Sequence, residues 1–269
     1  MRNDGRGRRP DRGSPRAPDG EERLQKIISG AGLCSRRQAE RLMAEGRVTV
    51  NGRAVVEPGF KADPARAVIL VDGRPLGPPE KFVYYMFHKP AGCLTTLDDP
   101  QGRPTIQPFL AELPARVFPV GRLDMDVEGL LILTNDGPLA RRLMHPSSLV
   151  PKVYRVKVDG LPDETDLARL RDGRLNIGDR PAAVAGAELL KTAREGTAGA
   201  RAWLSLTLTE GRRRQVKRMC SAIGHPVLKL KRVSYAGLEL GRLRLAQVRS
   251  LTPAEVRILK QAAPQGSAD

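Results

Sequence analysis

The sequence predicts an α+β protein of two domains, and three observations carry that prediction. Two short helical-period stretches, at residues 24–28 and 39–43, give way to alternating residues around an Asn51-Gly52 pair. A Gly77-Pro78-Pro79 break then interrupts the pattern, and beyond it strand-like runs alternate with amphipathic helical runs as far as Ala262. At 269 residues and 40% hydrophobic content, the chain is long enough to bury one large core and one small one.

Residues 1–22 hold six Arg against five acids among Gly and Pro, with almost nothing to bury, and are expected to form a disordered basic arm. Order is expected from Arg23, in a small α/β module over 23–76. Leu24, Ile27 and Ile28 lie on one face of a short helix that stops near Gly30 and Gly32. Ser35 and Gln38 have capping-box spacing for a second helix with Ala39, Leu42 and Met43 on its apolar face. Val48 and Val50 lead into Asn51-Gly52, a type I′ hairpin signal, with Ala54–Val56 as the returning strand and residues 68–71 as one more. Between Arg23 and Arg53 seven Lys or Arg face two Glu; Arg36, Arg37 and Arg41 are placed to offer the second helix to phosphates.

Residues 77–81 read as a linker and 82–262 as the second domain. Phe82–Phe87 is an expected strand running into His88-Lys89-Pro90-Ala91-Gly92, a turn in which Lys89 either contacts phosphate or is simply exposed. Val117–Val120 and Leu130–Thr134 are apolar strands flanking a turn that contains Arg122 and Asp124. That Asp has two readings, a solvated turn residue or a reactive carboxylate held by a rigid sheet. Asn135-Asp136-Gly137-Pro138 opens a helix carrying Leu139, Leu143 and Met144. In Lys152–Val158, strict alternation puts Tyr154 on the face of Val156 and Val158. A helix over 161–173 and strands over 181–190 and 202–209 follow, with a turn at Gly196–Gly199. Val216, Met219, Cys220 and Ile223 mark a helix ending at Gly224, and Thr252-Pro253 starts the last one; residues 263–269 are an expected frayed tail.

The charge excess narrows the partners. The net charge is +16 with a pI near 10.5, and residues 210–232 carry eight Lys or Arg against one Glu, including Arg212, Arg213, Arg214, Lys217 and Arg218. Such one-signed density at a helix N-terminus is a footprint for a nucleic-acid backbone. No apolar run approaches the ~18 residues of a membrane span, so no membrane partner is expected. Three scattered cysteines give neither a disulfide framework nor a zinc site, and no apolar leader precedes Arg23, so the expected location is cytoplasmic. His88, His145 and His225 lack ligand spacing and no phosphate or dinucleotide loop is present, so no cofactor is implied. Asp124, Asp126 and Glu128 offer alternate carboxylates, but no distant partner motif completes a metal site.

Two resemblances sharpen this reading. RLQKIISGAGLCSRRQAERLMAEGRVTVNGRAV is similar to the RNA-binding module shared by a small-subunit ribosomal protein, tyrosyl-tRNA synthetases and several RNA-modifying enzymes. GRLDMDVEGLLILTNDG resembles the signature of single-site ribosomal RNA pseudouridine synthases, together with HKPAG, KVYRVKV, EGRRRQVKRM and LKRVSYAGLEL. The match spans almost everything from Arg23 to Lys260, and the GHPVLKLKRVSYAGLELG segment is nearer the large-subunit enzymes. The resemblance implies a larger domain built on a mixed, mainly antiparallel sheet with flanking helices. It also implies a cofactor-free isomerase, monomeric, acting on ribosomal RNA or a pre-ribosomal particle. It assigns the reacting carboxylate to Asp124, the stacking ring to Tyr154, the basic partner of that carboxylate to Lys217 and the hold on the extruded nucleotide to Arg122. Val127 and Arg213 depart from the family's usual Thr or Ser and Asn, which bears on substrate detail. A non-catalytic RNA-binding assembly factor on the same fold is the alternative; the joint presence of Asp124, Tyr154 and Lys217 argues against it.

Overall fold

Residues 20–178, 181, 182, 184–194 and 199–262 are described by the structure, a computed structural model. The expected arm up to residue 19, the tail from 263 and the Gly196 end of the expected turn lie outside them. The chain divides between Lys81 and Phe82 into two units.

In the first unit, α1 (Leu24–Gly30) and α2 (Arg36–Ala44) cover a four-stranded antiparallel sheet. Its strands are β1 (Val48–Val50), β2 (Arg53–Ala54), β3 (Ile69–Val71) and β4 (Arg74–Pro75), in the order β2-β1-β3-β4. The Ser35 hydroxyl accepts from the Gln38 amide at 3.1 Å, which starts α2 where its spacing predicts. Asn51 (φ 50°) and Gly52 (φ 80°) form the two-residue hairpin loop, both with the positive φ that a type I′ turn requires. The returning strand ends at Ala54, two residues early, because Val55 turns into the core while Val56 is left exposed. Leu24, Ile28, Ala39, Met43, Val48 and Val71 make that core. Arg36, Arg37 and Arg41 stand on the exposed side of α2. Glu22, expected in the arm, pairs with Ala62 in a two-residue ladder.

The second unit is built on a nine-stranded sheet. Its main path uses β5 (Tyr84–Lys89), β7 (Glu128–Thr134), β8 (Lys152–Asp159), β9 (Gly186–Arg194), β10 (Ala200–Leu208), β11 (Val227–Tyr235) and β13 (Val248–Ser250), in the order β9-β10-β8-β11-β7-β5-β13. Two short strands complete it, β6 (Phe118–Val120) on β7 and β12 (Leu238–Glu239) on β11. All these pairings are antiparallel except β7 with β11, so the sheet is mixed and mainly antiparallel as expected. The expected strand over 181–190 is split: Pro181–Ala182 pairs with Leu175–Asn176, and β9 begins at Gly186.

Helices α3 (Gly137–Met144), α4 (Glu164–Arg171), α5 (Gln215–Ala222) and α6 (Pro253–Ala262) complete the unit. Helices α4 and α5 pack on β8 and β10 through Leu167, Leu170, Val216 and Met219 against Val156 and Leu204. Leu130 and Ile132 of β7 join the α3 and α6 core, whereas Leu131 and Leu133 face a separate cluster with Phe87 and Ile106. Strand β7 is therefore buried on both faces, which is why its sequence is an unbroken apolar run rather than an alternating one.

Strand β7 also pairs on both edges. β5 takes one edge along residues 129–134; on the other, β6 pairs with residues 132–134 and β11 with 128 and 129. The parallel contact is possible because residue 129 is Gly: at φ 128°, a Cβ there would lie 2.2 Å from the Arg232 carbonyl oxygen. Gly129→Ala is expected to lose about 3 kcal/mol in urea denaturation by overpacking and strain. Gly211→Ala, whose added Cβ meets nothing within 4 Å, is expected to stay within about 0.5 kcal/mol of the wild type.

Candidate active site

Seven residues, 121–127, connect β6 to β7 at the fork where β11 replaces β6 beside β7. Their backbone is held from below by the HKPAG segment. The Lys89 ammonium donates to the carbonyls of Pro90 (2.9 Å), Asp124 (3.3 Å) and Val127 (3.0 Å). The Gly92 amide donates to the Met125 carbonyl at 2.7 Å, and the Thr95 hydroxyl donates to that of Leu123 at 2.7 Å. Consecutive carbonyls from 123 to 125 are thus each bound, and Leu123 and Val127 anchor the loop in the core. Lys89 is fully buried, and burial lowers its pKa. This corrects the expectation of a phosphate-binding or exposed lysine: Lys89 has its donors turned inward, where carbonyls replace the water it has lost.

That scaffold presents Asp124, half-buried, to a cleft of about 630 Å3. Tyr154 on β8 lines the same cleft, as do Arg122, Arg212, Arg213 and Arg214. Among the described residues the Asp124 carboxylate makes no hydrogen bond or ion pair. Lys217 pairs with Asp126 instead of with Asp124, the second correction, and it does not line the cleft. In the first turn of α5, its amine meets the exposed carboxylate of the loop rather than the half-buried one. The ammonium holds the Asp126 carboxyl below the usual range. Asp126 thus ties α5 to the loop. Arg218 lies beyond the cleft in a neighbouring basic hollow that also includes Arg213 and Arg214, and Arg36, Arg37 and Arg41 belong to the first unit.

Several cleft residues had no signal in a residue-by-residue reading. Lys152 and Tyr154 project from one face of β8, two residues apart. Opposite them, β11 pairs Tyr235 with Lys152 and Arg232 with Tyr154, with Val233 as an extra residue between. That bulge turns Arg232 and Tyr235, which a regular strand would point to opposite faces, to the same one. The Arg232 guanidinium carbon is 5.0 Å from the Tyr235 ring centroid and the Lys152 amine 5.6 Å from it, so both cations rest on that ring. Lys152 is lowered to about 8 by burial and by the Arg232 charge, against a smaller opposing effect of Glu210. Among the described residues no group of three His, Cys, Asp or Glu is placed to hold a metal ion, and no helix is long and apolar enough to cross a membrane.

Two outcomes are expected. Lys89→Met leaves buried carbonyls without donors and should cost about 3 kcal/mol in urea denaturation; hydrogen exchange should quicken at the Gly92 and Val127 amides, which bond to the same loop. Lys152 is mainly charged at pH 7 and mainly neutral at pH 9, given a pKa of about 8. The affinity of a single-stranded RNA should fall across that interval in the wild type, and fall less in Lys152→Met.

Comparison with known proteins agrees with this geometry. Residues 83–222 match the model of the RNA pseudouridylate synthase family, and residues 22–67 match the S4 domain. The chain is 43% identical to the ribosomal large subunit pseudouridine synthase B of Bacillus subtilis, over 91% of this chain and 98% of that protein. It is 40% identical to the Salmonella typhi protein of the same name, over 81% of this chain and 75% of that one. A crystal structure of a pseudouridylate synthase superimposes with a TM-score of 0.61 at 30% identity, covering 88% of this chain and 99% of that chain. With the match covering the loop of Asp124, the strand of Tyr154 and most of the arginine-rich segment, the chain belongs to the RNA pseudouridylate synthase family.

Proposed function

We propose that this pseudouridine synthase isomerises a specific uridine of large-subunit ribosomal RNA, as a cytoplasmic monomer working without a cofactor. The observation that carries the reading is the unpartnered Asp124 carboxylate, fixed at the mouth of a cleft whose other charged walls are mostly cationic. The name shared by the Bacillus subtilis and Salmonella typhi relatives supports the choice of large-subunit RNA.

In this reading the first unit and the arginines of residues 212–218 bind RNA backbone, and Arg122, exposed at the cleft rim, holds the target nucleotide out of its stack. The half-buried Tyr154 ring carries the uracil. Asp124 is the nucleophile or base, close to the ribose of a base stacked there. Its loop carbonyls are already bound, so little of the geometry has to be ordered when RNA arrives. Lys217 acts through Asp126, setting the position of the loop from outside the cleft.

The purified protein should release tritium from [5-3H]uridine-labelled large-subunit ribosomal RNA transcripts. Asp124→Ala should bind the same RNA and release none; equal release by the two proteins would remove Asp124 from the chemistry. Affinity should drop at least about tenfold between 50 and 200 mM salt if several phosphates are contacted, and an unchanged affinity would contradict the backbone-binding role of the arginines.

A further inference from the structure

We propose that Arg232 is a catalytic residue that stabilises the negative charge developing on the uracil as its bond to ribose breaks, by donating a hydrogen bond to a carbonyl oxygen of the base. The proposal rests on the pseudouridine synthase reading of the cleft and goes beyond it by naming what receives the charge.

Arg232 lines the cleft and is only 2% exposed. Its Nε donates to the Leu130 carbonyl at 2.8 Å, which fixes the plane of the guanidinium, but Nη2 is buried with no acceptor. Among the described residues no carboxylate forms an ion pair with it. A buried cation with no counter-anion and a vacant donor is costly in a folded protein, and the face of Tyr235 offsets part of that cost. The remaining demand is for an acceptor carrying negative charge, which a ligand of the cleft can supply. Lys152, also lining the cleft and resting on the same ring, adds a second cation.

The placement matches the base. Arg232 and Tyr154 are direct partners across β11 and β8, where Cβ atoms stand about 5 Å apart. A pyrimidine stacked on Tyr154 brings its edge to the guanidinium. Chemically, uridine and pseudouridine are isomers: the C1′–N1 bond breaks and its electron pair stays with the base. C1′ then bonds to C5, C5 loses a proton, and N1 gains one. Whether Asp124 attacks the ribose carbon, attacks C6 of the base or removes the C2′ proton, an electron pair is driven onto the ring and rests on O2 or O4. A donor fixed beforehand at that edge binds the anionic ring more strongly than the neutral one, which lowers the barrier. Arginine suits the task because it stays charged and cannot itself be titrated by the departing base.

The test compares wild type, Arg232→Met and Arg232→Lys in single-turnover reaction of two large-subunit ribosomal RNA transcripts by nuclease digestion and mass spectrometry: one with uridine, read as pseudouridine, and one with 5-fluorouridine, whose C5 has no proton to lose, read as the C1′–C5-joined product that keeps its fluorine and takes up water across C6 and N1. Fluorine stabilises the base anion by itself, so a protein donor matters less for that substrate. Arg232→Met should lose about 100-fold on uridine and several-fold less on 5-fluorouridine, with RNA affinity close to that of the wild type. Arg232→Lys, which keeps the charge and serves if the Met variant fails to fold, should show the same difference between substrates with smaller losses. Equal losses on both transcripts, or a loss wholly in affinity, would overturn the role of Arg232 while leaving the enzyme a pseudouridine synthase. A wild type that converts neither transcript would overturn both.

Discussion

The buried ammonium of Lys89 is the interaction on which the site depends. A lysine taken out of water must find acceptors for its donors or lose its charge. Here it finds the carbonyls of Pro90, Asp124 and Val127, the last two belonging to the loop that presents the Asp124 carboxylate to the cleft. One cation therefore ties the end of β5 to a segment 35 residues away in sequence, and the Gly92 amide and Thr95 hydroxyl extend the same arrangement. Because these contacts use backbone carbonyls, they leave the Asp124 side chain for the cleft.

The second constraint is the parallel seam between β7 and β11. Gly129 lets the two backbones meet where a side chain would collide with Arg232, and the extra residue Val233 turns Arg232 and Tyr235 toward Lys152 and Tyr154. The loop, the ring of Tyr154 and the two cations come from three strands that converge only at this seam. Continuous apolar burial on both faces of β7 makes it a rigid base for such a site.

Charge is divided by depth. Arg122, Arg213 and Arg214 line the cleft as exposed arginines, where salt screens their charge. Arg232 and Lys152, beneath them, are shielded from salt and act at short range. The pair of Lys217 with Asp126 lies outside the cleft, so the loop is steadied on its outer side without neutralising Asp124.

Local chemistry was legible in the sequence because its causes are local. The Asn51-Gly52 hairpin, the Ser35 cap, the Asp136 cap of α3 and the alternation that set Tyr154 beside Val156 all follow from residues within a few positions of each other. Charge density singled out the arginine-rich segment and family resemblance chose between the two readings of Asp124; both line or border the cleft. The role of Lys89 was not legible, since HKPAG looks like an exposed turn until the partner carbonyls of residues 124 and 127 are beside it. The same holds for Lys217, whose choice between two acids of one loop depends on the direction each points from a folded backbone. Arg232 was hidden by a bulge, which changes the face of a residue without changing its neighbours in sequence. The sequence by itself determined the elements, the charge and the placing of Asp124 in a turn between two buried strands. Only the tertiary structure decided which cations were buried and what they faced, because that depends on contacts between strands far apart in the chain.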